Sequence, residues 1–253
     1  MQGWKIIKHS FTQVFANMRA AIRVSAALFL VSTIVSQLWL NSVRGSLYDG
    51  SSAIEGGNWG LYSLMMLVST IVGLWIAVAW HRYILTGEIS DGWIPELHIA
   101  RMLGYFLRGV LIFVVCMFML IILGLVLAII GAIIEDRSVI VGLVSVGSVL
   151  ILFPMLIVGF RLSTILPAAA LGKKLSLKEA WKSTKGSTGA IVVIALISAV
   201  LSIPSILLQP LLMSSSIFSL IWSCTFGWVM TMLGISLLTT FYGHYVEGRA
   251  LND

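Results

Sequence analysis

The chain has 253 residues, 59% of them hydrophobic and only 10% charged, with a mean hydropathy of +1.03. A soluble domain carries about 25% charged residues, so this chain cannot cover its own surface with polar groups, and lipid is the solvent that accepts it. The formal charge of +6 does not point to nucleic acid, because the basic residues are distributed as a membrane rule requires.

A spanning helix needs about 20 mostly apolar residues. The chain opens on a polar lead that runs through Arg23, too long for the charged region of a signal peptide, and the first apolar run, 24–40, has no small-residue cleavage site after it. It is expected to be a retained first span. Ser10 with Gln13 three residues on has capping-box spacing, and Ile7, Phe11, Val14, Phe15, Met18 and Ile22 fall on one helical face. An amphipathic helix is therefore expected ahead of that span. A Gly/Ser-rich connector at 46–58 leads to the second apolar run, 61–80.

The next connector carries Glu88, Asp91, Glu96 and His98, ligand types that suit a metal, but in no recognised spacing, so a solvated loop is expected and no metal site is assigned. Pro95 suits a first helical turn. Behind it, Leu97, Ala100, Leu103, Gly104 and Leu107 make an apolar face opposite Arg101 and Arg108. The third and fourth runs, 110–134 and 139–160, are separated only by Glu135-Asp136-Arg137, which makes them antiparallel neighbours. A third amphipathic segment follows. It starts at a capping box, Ser176 to Glu179, with Leu177, Ala180, Trp181 and Thr184 on one face and Lys178, Lys182 and Lys185 outward. The fifth and sixth runs, 190–212 and 217–242, meet at Ser214-Ser215-Ser216.

Placing these runs across a bilayer puts 14 of the 16 basic residues on one side; only Arg44 and Arg137 fall on the other. This asymmetry orients both termini and the two long connectors to the cytoplasm. The expected fold is all-α: six transmembrane helices in one membrane domain spanning 1–253, arranged as three hairpins. Each hairpin is preceded by a cytoplasmic amphipathic helix, in approximate repeat units 1–84, 90–166 and 176–245.

Few residues suggest chemistry. Lys173, Lys174, Lys178, Lys182 and Lys185 form the densest basic cluster and could hold an anionic lipid headgroup or an acidic partner, although a topology signal is the favoured explanation. His81, Arg82, Arg161 and His244 lie at inner span ends, where side chains snorkel and where Trp80, Phe241 and Tyr242 resemble an aromatic belt. They are the only candidate polar cluster. Cys116 and Cys224 sit in apolar runs, as structural cysteines do. Pro154, Pro204 and Pro210 interrupt the fourth and fifth spans, and broken helices often line transport sites. Small residues at Gly124, Ala128 and Ala132, at Ala195 and Ala199, and at Ser198 and Ser202 allow close helix approach or a second copy of the chain. No nucleophile elbow, zinc-protease motif or phosphate loop is present, so neither an enzyme nor a cofactor is expected.

The segments RLSTILPAAA at 161–170, SLKEAWKSTKG at 176–186 and WHRYILTGE at 80–88, with the opening 11–23, resemble a loose group of bacterial six-span inner-membrane proteins. The group includes the membrane domain attached to some glycerophosphodiester phosphodiesterases. The resemblance implies a bacterial inner membrane. It carries over no activity, because the phosphodiesterase portion has no counterpart in this sequence. The leading expectation is a non-enzymatic accessory, scaffold or envelope-maintenance component with membrane lipids, a membrane-protein partner or a second copy as its contacts. The alternative is a transporter or lipid-handling protein with a polar cavity between the kinked fourth and fifth spans.

Overall fold

The computed structural model describes residues 2–48, 58–89, 92–134 and 137–251, and every regular element among them is helical. Helices are what this sequence must form in lipid, where each backbone N–H and C=O has to be satisfied within its own segment. In chain order the elements are α1 (Gln2–Ala16), α2 (Met18–Tyr48), α3 (Trp59–Thr86), α4 (Ile99–Ile133), α5 (Arg137–Leu162), α6 (Ile165–Leu171), α7 (Leu177–Ser183), α8 (Thr188–Leu207), α9 (Gln209–Ser214), α10 (Ser216–Trp222), a π-helical turn (Ser223–Gly227) and α11 (Trp228–Tyr245). Six segments are long and apolar enough to cross a membrane: Met18–Arg44, Trp59–Thr86, Ile99–Ile133, Ser145–Leu171, Thr188–Leu207 and Ser216–Tyr245. The chain is thus read as a multi-pass α-helical membrane protein.

Local chemistry sets several ends. Asn58 caps α3 by accepting from the Leu61 N–H at 3.1 Å, and Gly87 closes it in the left-handed conformation (φ 74°) that glycine adopts without penalty. Ser176 and Glu179 exchange the reciprocal bonds of a capping box at α7. Ser215 ends α9 and accepts from the Phe218 N–H to start α10.

The core lies toward the side where the start of α1 and the end of α11 meet, through a 2.7 Å hydrogen bond between Gln2 Nε2 and His244 Nε2. On this side α1 packs between α8 and α11, with Ile6, Ile7, Ala190, Ile191, Ile194 and Phe241 in one cluster. Gly3 permits that approach: a Cβ there would stand 2.6 Å from the Ala190 carbonyl oxygen. The first and second spans pack together against α11 through Val24, Leu28, Val72, Ile76, Trp80 and Met232. The α4–α5 pair is peripheral, and none of the most apolar window of α4 is buried.

Several expectations are corrected. Ser10 does not start a helix; it lies inside α1, where its hydroxyl donates to the Ile6 carbonyl at 2.8 Å and meets Thr240 Oγ1 at 3.0 Å. Pro95 precedes α4 rather than entering its first turn, and the expected amphipathic segment is continuous with the third span as one helix. Leu97, Leu103 and Leu107 on its apolar face are exposed, while Met102 and Tyr105 pack into the protein. Trp80, Phe241 and Tyr242 are core residues, not an aromatic belt. Helix α6 was not foreseen. Its Ile165, Pro167 and Ala168 to Ala170 are buried against α3, α4 and α11, so the last part of the fourth spanning segment is a plug in the terminal side. The turn at Glu135 and Asp136, most of the 46–58 connector, and Asp91 lie outside the described residues.

Candidate functional site: a hydroxyl-lined cavity

The inner-end residues singled out from sequence are dispersed over the terminal side, with no hydrogen bond or ion pair among them within the described residues. His81 is fully buried inside the bundle rather than snorkelling. Its Nδ1 lies 2.8 Å from Thr239 Oγ1, whose own proton goes to the Ile235 carbonyl at 2.9 Å. Thr239 can therefore only accept, which assigns the proton to Nδ1 and leaves Nε2 to accept from the Tyr105 hydroxyl at 3.3 Å. Arg82 donates to both oxygens of Glu88 and to the Ala170 carbonyl. Arg161 stacks 3.5 Å from the Trp181 ring centroid and donates to Thr184 Oγ1 at 3.1 Å, fixing α7 to the end of α5. His244 Nδ1 faces the Arg249 carbonyl at 3.1 Å. All four residues tie helices together.

The lysine cluster is likewise distributed. Lys173 pairs with Glu247 at 2.7 Å, while Lys174, Lys178, Lys182 and Lys185 are exposed along and around α7. Glu88, Glu96 and His98 do converge, with ligand atoms within 4.8 Å of one another. The positive guanidinium of Arg82 already occupies Glu88, and its hydrogen bond, with that of His98, holds the Glu88 carboxyl below the usual carboxylate range. The set reads as an ion-pair cluster.

The main candidate site lies elsewhere. A cavity of about 650 Å³ opens between the first, second, fifth and sixth spans. That volume suits a small-molecule ligand. Hydroxyls converge on it: Ser32, Thr33 and Ser36 from α2, Ser69 from α3, Ser202 and Ser205 from α8, and Ser223 and Thr231 from the sixth span. Ser36 lies roughly 20 Å along α2 from Arg23, so the cavity occupies the middle and far half of the bundle. The aromatic rings Phe29, Trp222 and Phe226 share the wall, the last two stacked at 4.6 Å. Among the described residues no acidic, basic or histidine side chain lines it.

Sequence creates this space in two ways. Pro204, between Ser202 and Ser205, removes a helix donor, and α8 ends at Leu207, where α9 starts afresh at Gln209. In the sixth span the π-helical turn Ser223–Gly227 widens the helix beside the cavity, a feature frequent at functional sites. At the far end Arg44 donates to Ser216 Oγ and, at 3.2 Å, to the carbonyl of Leu212, itself a lining residue; Ser216 in turn donates to Asn41.

Half of the eight hydroxyls are biased acceptors. Ser32, Ser36, Ser202 and Thr231 donate to carbonyls of their own helices at 2.7–2.9 Å. Ser205 accepts from the Trp222 indole at 3.3 Å. A hydroxyl has one proton and two lone pairs, so committed protons leave oxygen lone pairs toward the cavity. The lining suits an uncharged ligand that donates hydrogen bonds and carries apolar surface. Phe29 also forms part of a second, apolar groove of about 380 Å³, with Ile22, Ala26, Leu30, Cys224 and Trp228, on the side of α2 toward the sixth span. Its ring stands between the two spaces, against Gly227 of the π-helical turn.

The sequence reading missed this site. The transporter alternative places its cavity between the fourth and fifth spans, whereas among the described residues Pro154 and the rest of the fourth span do not line this one. Signals were present: Ser32 with Ser36, and Ser202 with Ser205, recur at helical spacing, and the Ser198–Ser202 face was read only as small. No protein-family model, curated protein or solved structure matches the chain.

Proposed function

We propose that this chain is a lipid-handling or transport protein of a bacterial inner membrane, with both termini cytoplasmic, and that it holds a neutral, hydroxyl-bearing amphiphile in the cavity between its first, second, fifth and sixth spans. The observation that carries the reading is an uncharged, acceptor-rich cavity in the bundle, bordered through Phe29 by an apolar groove. Polar groups inside a membrane protein are costly unless satisfied, and a ligand that donates hydrogen bonds would satisfy these. The groove offers lateral entry for the apolar part of such a molecule. The basic asymmetry supports the orientation, and α1 and α7 would lie at headgroup level as interfacial helices.

Native mass spectrometry of the protein released from nanodiscs containing diacylglycerol tests this. Wild type is expected to retain the neutral lipid, and Ser36→Leu with Ser205→Leu, which fill the cavity, to lose it. Equal retention by both proteins, or none by wild type, sinks the reading.

One observation favours an accessory role as a second reading: α4 offers a span-long apolar surface with no buried residue in its most apolar window. Under that reading a partner span, or α4 of a second copy, covers it. Crosslinking from Phe118→Cys in native membranes is expected to give a discrete adduct, and its absence argues for lipid there.

A further inference from the structure

The junction of α1 and α2 contains a second site, whose polar part shares no residue with the cavity although both border the same apolar groove. The two helices are separated by one residue, Asn17. Its amide donates to the Gln13 carbonyl at 2.8 Å, and its oxygen accepts from the Tyr83 hydroxyl at 3.0 Å, so the elbow is anchored to α3. Beside it is a pocket of about 230 Å³ that Arg19, Arg23, Asn17 and Tyr83 line over an apolar floor of Ala16, Ala20 and Val24. Arg19 and Arg23 are one turn apart and face the same way. Among the described residues neither makes an ion pair or hydrogen bond, whereas Arg82, Arg108, Arg161 and Arg249 all donate to oxygens of the protein. Among the described residues no carboxylate lines the pocket, whose remaining wall is Ile89.

The surface below continues the pattern. Ala26 and Leu30 follow Arg19 and Arg23 at seven-residue steps and so lie on the same stripe of α2. With Ile22 and Trp228 they line the apolar groove of about 380 Å³. Two unpaired guanidiniums at the end of an apolar span, above an apolar groove, match a phosphate attached to acyl chains. We infer that the elbow binds an anionic phospholipid. Arg19 and Arg23 take the phosphate oxygens, Asn17 and Tyr83 hold the elbow in shape, and an acyl chain lies along Ile22, Ala26 and Leu30.

The full-length protein in nanodiscs of phosphatidylcholine with phosphatidylglycerol tests this, with lipid adducts counted by native mass spectrometry. Wild type is expected to retain phosphatidylglycerol over phosphatidylcholine by about tenfold, a preference that Arg19→Gln with Arg23→Gln abolishes. Lys174→Gln with Lys178→Gln, which removes two exposed charges elsewhere on the same side, is expected to keep it. Ala26→Trp, which blocks the groove without altering charge, is expected to lose the adduct. Excess inorganic phosphate or glycerol phosphate is expected to leave it in place. Equal retention by the arginine variant, equal loss in the lysine variant, retention by Ala26→Trp or displacement by the soluble phosphates each overturns the inference. Failure of the diacylglycerol experiment leaves this result unaffected, because the two probes differ in charge and the two sets of substitutions do not overlap.

Discussion

His81 is buried because both of its ring nitrogens have partners, Thr239 on α11 and Tyr105 on α4. Its removal leaves the Tyr105 hydroxyl without its acceptor, takes a donor from Thr239 and leaves a void. His81→Ala is expected to cost about 2–4 kcal/mol, seen as a lower melting temperature in detergent. Thr239→Val, which removes the bonds to His81 and to the Ile235 carbonyl but little volume, is expected to cost about 1–2 kcal/mol; equal effects would contradict the assigned network. The sequence placed His81 at a span end but not its direction, because that depends on the rotation of α3 against α4 and α11. Glu88 is the pH-sensitive partner of Arg82. Its folded carboxyl is held below the ordinary value by the Arg82 hydrogen bond, so its stabilisation is present above the unfolded carboxylate range near 4.3 and is lost as pH falls through the lowered folded value. Glu88→Gln is accordingly expected to melt earlier than wild type at neutral pH, with the difference shrinking below about pH 4. A constant difference across that range would remove Glu88 from the linkage.

At the scale of elements, two interruptions shape the cavity. The fifth span is broken after Pro204, and the sixth contains the π-helical turn Ser223–Gly227. Such a turn behaves as one extra residue in an α-helix. Deleting Thr225, which is exposed, is expected to restore a regular helix, narrow the cavity and abolish neutral-lipid retention while the protein still folds. Retention unchanged by the deletion would separate the turn from the site. The proline was visible in the sequence. The π turn was not, because its residues are ordinary for a span and the extra register arises where α10 and α11 pack against different neighbours. Packing also explains α1. Gly3 touches the Ala190 backbone and Val193, so Gly3→Ala is expected to loosen α1 from α8 at a cost of about 1–3 kcal/mol, read as faster tryptic cleavage at Lys5 and Lys8. Cleavage as slow as wild type would show that α8 can yield there.

For the whole molecule, the terminal side is densely packed and cross-tied by side chains from many helices, while the far half is hollow between the first, second, fifth and sixth spans. A rigid base beneath a cavity is an arrangement that fixes where a ligand sits. The orientation has a direct test. With Cys116 and Cys224 replaced by serine, Lys174→Cys and Ser214→Cys should react with a membrane-impermeant thiol reagent from opposite sides of sealed vesicles. Labelling of both from one side would overturn the six-span topology.

The apolar runs by themselves determined that the chain is helical and that six segments can span, because lipid leaves a long apolar segment few other ways to satisfy its backbone, but not every boundary: the third span starts at Ile99 and the fourth extends to Leu171. The Ser176–Glu179 cap was equally legible, being a contact between residues three apart. Tertiary structure alone decided which faces meet: the insertion of α1 between α8 and α11, the buried plug of α6, the outward turn of Leu103 and Leu107, and the gathering of hydroxyls from four spans into one cavity. In a span that is apolar on every face the hydrophobic pattern carries little directional signal, so the rotation of each helix is set by close packing and a few hydrogen bonds to partners far away in the chain.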